Sequence, residues 1–197
     1  MKKYILLALF AGFFIMEANA QVTVKPGIRA GVNFSRFSDT EFDMRPDFYA
    51  GAFVAMKLTR FYTLQPEITY SRQGAKADFS TAIAGVPDDI KIGYVSFGVM
   101  NKITFNDEFS LLLGPTIDFE TESNVSTNSD VDLAIMGGLG YTLPFGLTIE
   151  ARAKFGVIDV LESDTFNGTD TYVDDWNTNV TLQLGISYSF DAKGATK

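Results

Sequence analysis

The sequence predicts an all-β protein: an eight-stranded antiparallel up-and-down transmembrane β-barrel that follows an N-terminal signal peptide. Three observations carry that reading. Eight segments alternate apolar and polar residues with a period of two, the side-chain period of a strand. The connections between them run long, short, long, short, long, short, long. That is the asymmetry of an outer-membrane barrel, with short periplasmic turns and long extracellular loops. The chain also begins as exported chains do.

Lys2 and Lys3 form a basic start, Tyr4 to Met16 is unbroken apolar sequence, and Ala18-Asn19-Ala20 is a small-x-small cleavage site. Cleavage is expected between Ala20 and Gln21, which divides the chain into a signal peptide (1–20) and a barrel domain (21–197). The apolar run is short of the roughly 20 residues a spanning helix needs. No Cys follows the site, which excludes a lipoprotein anchor. Loss of Lys2, Lys3 and Glu17 takes the formal charge from −8 to −9. An acidic chain argues against nucleic acid as a partner. With no Cys and no His, disulfides, thiol chemistry, Ser-His and Cys-His catalysis and the usual metal ligands are all absent.

The last segment sets the pattern. Val180, Leu182, Leu184, Ile186, Tyr188 and Phe190 alternate with Thr181, Gln183, Gly185, Ser187 and Ser189. An apolar face ending in aromatics, opposite a face of small polar residues, suits a strand between lipid and a narrow wet lumen. Strand one, about Gly27 to Phe34, puts Ile28, Ala30, Val32 and Phe34 outward. The polar stretch Ser38 to Asp47 then reads as a loop. Strand two, Phe48 to Leu58, turns at Thr59-Arg60-Phe61 into strand three, Tyr62 to about Gln73. Gly74 to about Ile90 is a long connection. Strand four, near Ile92 to Phe105, is interrupted by Asn101 and turns at Asn106-Asp107-Glu108. Strand five, Phe109 to Glu120, is nearly as regular as the last, and Thr121 to Asp130 is a polar loop. Strand six, Val131 to Leu143, turns at Pro144-Phe145-Gly146 into strand seven, Leu147 to Val157. The longest loop, Asp159 to Thr178, leads to strand eight, which should close against strand one. Pro66 and Pro115 interrupt the ladder chemistry, and each is expected to bring a bulge or a missing hydrogen bond.

None of the outward positions so assigned is charged, in a chain that is 20% charged. Lys or Arg facing mid-bilayer costs roughly 2–4 kcal/mol. Aromatic belts are expected at the two headgroup layers. Phe61, Tyr62, Phe105, Phe109, Tyr141, Phe145, Tyr188 and Phe190 lie toward the short turns. Phe34, Phe48, Tyr70, Phe119 and Trp176 lie toward the long loops. The rival arrangement is a soluble, lipocalin-like barrel with these aromatics inside and Glu67, Glu150 and Arg152 outside.

The inward charges balance: Arg29, Lys57, Lys102, Arg152 and Lys154 against Glu67, Asp118, Glu120, Asp132 and Glu150. They predict an ion-pair network of Arg29, Glu67, Glu150, Arg152, Lys154, Asp118 and Asp132, with Arg29, Glu67, Glu150 and Arg152 at mid-height. Inward glycines leave room for the long arms to cross. Eight strands enclose a space that side chains can fill, so a plugged lumen is expected, with a small conducting path as the alternative. Glu67 and Glu150 have no nucleophile or base constellation around them, so no enzyme and no cofactor is predicted. The last loop carries Asp159, Glu162, Asp164, Asp170, Asp174 and Asp175 without calcium-loop spacing, and reads as a solvated acidic loop. Asn167-Gly168 looks like a hairpin tip within it.

The block Leu64-Gln65-Pro66-Glu67-Ile68-Thr69-Tyr70-Ser71-Arg72-Gln73-Gly74-Ala75-Lys76, with Phe48-Tyr49-Ala50-Gly51 before it, resembles the PorT-like outer-membrane β-barrel proteins of Bacteroidota. The resemblance runs from about Val24 to Phe190. It implies a small barrel of the OmpA or OmpX kind, and insertion by the outer-membrane assembly machinery, which favours a final strand ending in an aromatic. Here Phe190 is followed by Asp191 to Lys197. The expected setting is the outer membrane of a Gram-negative bacterium, with both mature termini in the periplasm. The expected partners are membrane lipid and lipopolysaccharide, for a monomer whose loops present a surface to a protein partner. A role in envelope structure or recognition is expected; a passive porin-like channel and an accessory of protein secretion are the alternatives.

Overall fold

A computed structural model describes residues 22–38, 43–76, 89–106, 108–124, 129–159 and 178–190. Eight strands follow one another: β1 (Thr23–Phe37), β2 (Asp43–Lys57), β3 (Tyr62–Lys76), β4 (Asp89–Asn106), β5 (Phe109–Ser123), β6 (Val131–Thr142), β7 (Leu147–Asp159) and β8 (Thr178–Ser189). Each pairs antiparallel with the next, and β8 closes on β1. The closing seam runs from Gly27↔Ser189 to Phe37↔Asn179. Every strand therefore has a hydrogen-bonded neighbour on both sides and no edge is left open, as a sheet in lipid requires.

The strands are longer than the alternation suggested. β2 begins at Asp43, inside the stretch read as a loop, and β4 begins at Asp89. β3 runs on to Lys76 and β5 to Ser123. These ends were hidden because their apolar residues do not mark one outward face: Met44 is exposed, whereas Ala75, Ile90 and Ile92 are buried inside the barrel. Their length has a consequence. A tilted strand crosses a bilayer in about 9–11 residues, whereas β1, β2, β3 and β5 each have 15. The surplus projects beyond the membrane on the side of the long connections, and there the outward face does carry charge: Arg36, Arg72 and Lys91.

The distribution of burial is the reverse of a soluble protein's. Ile28, Leu113, Ile135, Leu139, Ile149 and Val157 are all more than half exposed. Arg29, Glu67, Asp118, Glu150, Arg152 and Lys154 are buried. An exposed apolar surface running round the whole barrel far exceeds the patch of a few hundred Å² that a soluble monomer tolerates. The lipocalin-like arrangement is thereby excluded.

Pro66 and Pro115 sit in unbroken register, so neither carries a bulge. The ladder lapses beside them instead. Between Phe53↔Glu67 and Met56↔Leu64, on the β2 side of Pro66, two pairs are missing. Between Gly98↔Thr116 and Asn101↔Leu113, on the β4 side of Pro115, two more are missing. On their other edges Pro66 pairs with Val99 and Pro115 with Ile135. A residue without N–H thus costs one edge of the ladder locally, and the closed sheet holds the register.

Candidate functional site

The lumen is the candidate site. Alternation sends Arg29 of β1, Glu67 of β3, and Glu150 and Arg152 of β7 to one level inside the barrel. Arg29 Nη1 donates to Glu67 Oε1 at 2.8 Å. Arg152 Nη1 donates to both oxygens of the same carboxylate, at 2.9 and 3.0 Å. Arg152 Nη2 approaches Glu150 Oε2 at 2.9 Å as an ion pair, off the line of a hydrogen bond. Arg29 Nη2 lies 3.8 Å from that oxygen and donates to Gln183 Oε1 at 3.2 Å. Ser187 Oγ donates to Glu150 Oε1 at 2.7 Å. Two cations and two carboxylates cross the lumen as a neutral quartet whose side chains are at most 3% exposed.

Glycine makes the crossing possible. Gly31 and Gly185 face each other across the β1–β8 seam. Tyr49 of β2 lies on this flat wall, with its Oη 2.2 Å from where a Cβ on Gly185 would stand. The Arg29 guanidinium then stacks over the Tyr49 ring at 4.8 Å. Beside the quartet, Met100, Leu112 and Met136 form an apolar cluster that completes the fill.

Toward the end of the long connections the lumen divides. On one side Lys154 pairs with Asp118 and lies 5.9 Å from the Tyr94 ring centre. Asp132 stands apart from the expected network. It faces Asp118 across the β5–β6 ladder, a like charge, and Lys154 is engaged by Asp118. Among the described residues no ion pair includes Asp132. On the other side lies an uncharged cluster that the charge count did not reveal. Asn33 Nδ2 donates to Ser71 Oγ at 2.8 Å, Asn179 Nδ2 to Gln73 Oε1 at 2.6 Å, and Thr181 Oγ1 to Gln73 Oε1 at 3.0 Å. Its sequence signal was the run of inward Asn, Gln, Ser and Thr on β1, β3 and β8. At the short-turn end Lys57 is exposed and Lys102 half-buried.

Outside, the Phe109 and Tyr141 rings meet at a tilt with centroids 4.8 Å apart, and Tyr188 meets Phe190 edge-on at 5.3 Å, both near the short turns. Tyr62 Oη donates to Asn101 Oδ1 at 2.7 Å, so the residue that interrupts the β4 pattern caps an interfacial tyrosine. Phe61, Phe105 and Phe145 are exposed at this end. Near the other end Phe97 meets Phe119 edge-on at 5.9 Å, and Phe48 lies 6.1 Å from Tyr70. Ala20, Gln21, Trp176 and the Asn167-Gly168 tip lie outside the described residues, as do the acidic side chains of the last connection. Among the described residues no group of three or more His, Cys, Asp or Glu is placed to hold a metal ion.

A closed antiparallel barrel of eight strands, apolar outside and ion-paired within, is the architecture of a small outer-membrane protein. The family model described as outer membrane protein beta-barrel domain matches residues 19–195, and the chain belongs to that family. Among solved structures, the barrel is similar to Ail, the attachment invasion locus protein of Yersinia pestis. The identity is 16% and the TM-score 0.50, covering 85% of this chain and 99% of that one. It is also similar to Neisserial surface protein A, at 13% identity and a TM-score of 0.55, over 84% and 97% of the two chains. At such identities the likeness is one of fold. No curated protein sequence matches the chain.

Proposed function

We propose that this outer-membrane barrel is closed to solutes and non-enzymatic, and that it anchors in the membrane to support the envelope or to present its long connections to a partner. The quartet of Arg29, Glu67, Glu150 and Arg152 carries this reading. It fills the lumen at mid-height with buried, mutually neutralised charge, and opening a path through it means unpairing ions in a poorly solvated space, at several kcal/mol each. Glu67 and Glu150 are held as acceptors for guanidinium groups and offer no free base. The signal peptide ending at Ala20 and a periplasmic location for both mature termini belong to the same reading. So does the narrower kinship with PorT-like proteins carried by Leu64 to Lys76.

Conductance across a planar bilayer tests it. The purified barrel should show no regular current steps at moderate voltage, whereas steady steps of one size would establish a passive channel. An accessory of secretion, the role that the PorT-like resemblance implies for some members, predicts co-purification with secretion components instead.

A further inference from the structure

The outer ends of β3, β4 and β5 carry a second constellation, on the lipid side of the wall. Gly93 pairs with Glu122 and Tyr94 with Glu120, so Thr121 is an extra residue between them. With plain alternation Glu122 would face the lumen, as Asp118 and Glu120 do. The bulge turns it outward, and re-aiming a side chain is what bulges do at functional positions. Once outside, Glu122 Oε1 accepts the Tyr70 hydroxyl at 2.9 Å. Its Cγ passes 2.7 Å from where a Cβ on Gly93 would stand, so glycine there lets the carboxylate lie flat on the wall. Asn124 braces the rim: its Oδ1 accepts the Lys91 N–H and its Nδ2 donates to the Asp89 carbonyl, both at 2.8 Å.

These groups enclose a pocket of about 210 Å³ lined by Arg72, Lys91, Ile92, Gly93, Glu122, Ser123 and Asn124. Two cations reach it with donors to spare. Arg72 approaches Asp47 only through Nε, at 3.8 Å, and rests over the Phe48 ring at 5.9 Å. Its terminal nitrogens have no acceptor among the described residues. Lys91 Nζ holds Asp89 at 2.9 Å with its side chain 45% exposed, which leaves ammonium protons for another acceptor. Arg45 closes the far side of the charge chain, on Asp47 at 2.7 Å and Asp89 at 2.6 Å. On the outward face at this height Arg36, Arg72 and Lys91 stand with two carboxylates, Glu122 and Asp89, the second already paired with Lys91 and Arg45, in a chain whose formal charge is −8.

Depth decides what fits. Directly beneath the pocket, outward, come Tyr70, Val95, Phe97 and Phe119, the edge of the apolar band. A ligand seated here has its lower part in lipid and its head at the level of Arg72 and Lys91. We propose that the pocket binds the phosphate group of an outer-leaflet glycolipid. Arg72 and Lys91 take the phosphate by charge-assisted hydrogen bonds, and Glu122, fixed by Tyr70, accepts from a sugar hydroxyl. This rests on the membrane setting of the barrel and on no role for its loops or lumen.

The test uses the refolded full-length barrel in zwitterionic micelles and reads its half-unfolding temperature from the gel-mobility shift on heating. Lipopolysaccharide, dephosphorylated lipopolysaccharide and sodium phosphate are titrated separately. Lipopolysaccharide should raise the temperature for the parent and for Lys57→Gln/Lys102→Gln, which loses the same charge inside the lumen. Arg72→Gln/Lys91→Gln should need about tenfold more of it for the same shift, and the charge-preserving Arg72→Lys/Lys91→Arg should retain most of the effect. The assignment is overturned if the dephosphorylated lipid or phosphate alone works as well, or if the lumen pair weakens the response equally. Should Arg72→Gln/Lys91→Gln fail to fold, the dephosphorylated lipid and the charge-preserving pair decide.

Discussion

Arg152 and Glu67 meet across the full width of the lumen, Nη1 to Oε1 at 2.9 Å, although they stand on β7 and β3 and are 85 residues apart in sequence. Glu67 also holds Arg29, so one carboxylate ties three strands together. Arg152→Met should lower stability by about 3–5 kcal/mol, because Glu67 and Glu150 are left buried with a single cation between them. Arg152→Met/Glu67→Gln restores neutrality and should recover most of that loss. Urea unfolding in micelles, run as a double-mutant cycle, measures both; additive losses would deny the coupling.

Gly185 governs the same site from behind. A Cβ there would stand 2.2 Å from Tyr49 Oη and 2.4 Å from the Ala30 carbonyl oxygen, and the second contact is backbone of the neighbouring strand. Gly185→Ala should destabilise the barrel by about 1–3 kcal/mol, the range for overpacking. Gly185→Ala/Tyr49→Ala should regain only part, since the Ala30 contact remains. The same unfolding series checks this, and full recovery would place the whole cost on the tyrosine.

Much of this was legible in the sequence because lipid is an unforgiving solvent. A charge on the wrong face of a crossing strand is costly, so the alternation from Val180 to Phe190 had only one stable orientation. The same rule made Arg29, Glu67, Glu150 and Arg152 inward residues, and a narrow lumen brought them together. The rule lapses beyond the membrane. There the outward face meets water as well, so the ends at Asp43, Lys76, Asp89 and Ser123 need no apolar outward face, and Ala75, Ile90 and Ile92 lie buried inside instead. The Thr121 bulge was equally silent, because one extra residue in a polar stretch changes no period. Asp132 shows a third limit: counting balanced charges does not say which carboxylate wins Lys154.

The rim at the long connections should respond to acid through Asp89. Burial works against its charge, but its hydrogen bond to Lys91 and the attraction of Arg45 and Lys91 outweigh that and hold its pKa below the usual carboxylate value. A depressed folded pKa adds stability that is fully present above the unfolded value and lost as pH falls through the folded one. Asp89→Asn should therefore be less stable than the parent at neutral pH, and the gap should close on acidification below the ordinary aspartate range. Carboxyl chemical shifts of labelled Asp89 give the midpoint directly; a value at or above that of a free aspartate would refute the sign.

Depth along one strand gives the last prediction. Leu113 of β5 is 55% exposed, midway between Phe109 near the short turn and Phe119 near the long-connection end. Phe105 is 63% exposed but belongs to the rim at the short turns. If the outward face meets hydrocarbon, Leu113→Arg should cost about 2–4 kcal/mol and Phe105→Arg only about 0–1, because the long side chain at the rim reaches headgroups and water. A water-exposed face would make the two substitutions equally mild, within about 0.5 kcal/mol of the parent. Unfolding free energies in phospholipid vesicles separate these outcomes. The ratio between the two positions is the useful quantity, since each introduces the same charge on an exposed apolar site and differs only in distance from the bilayer midplane.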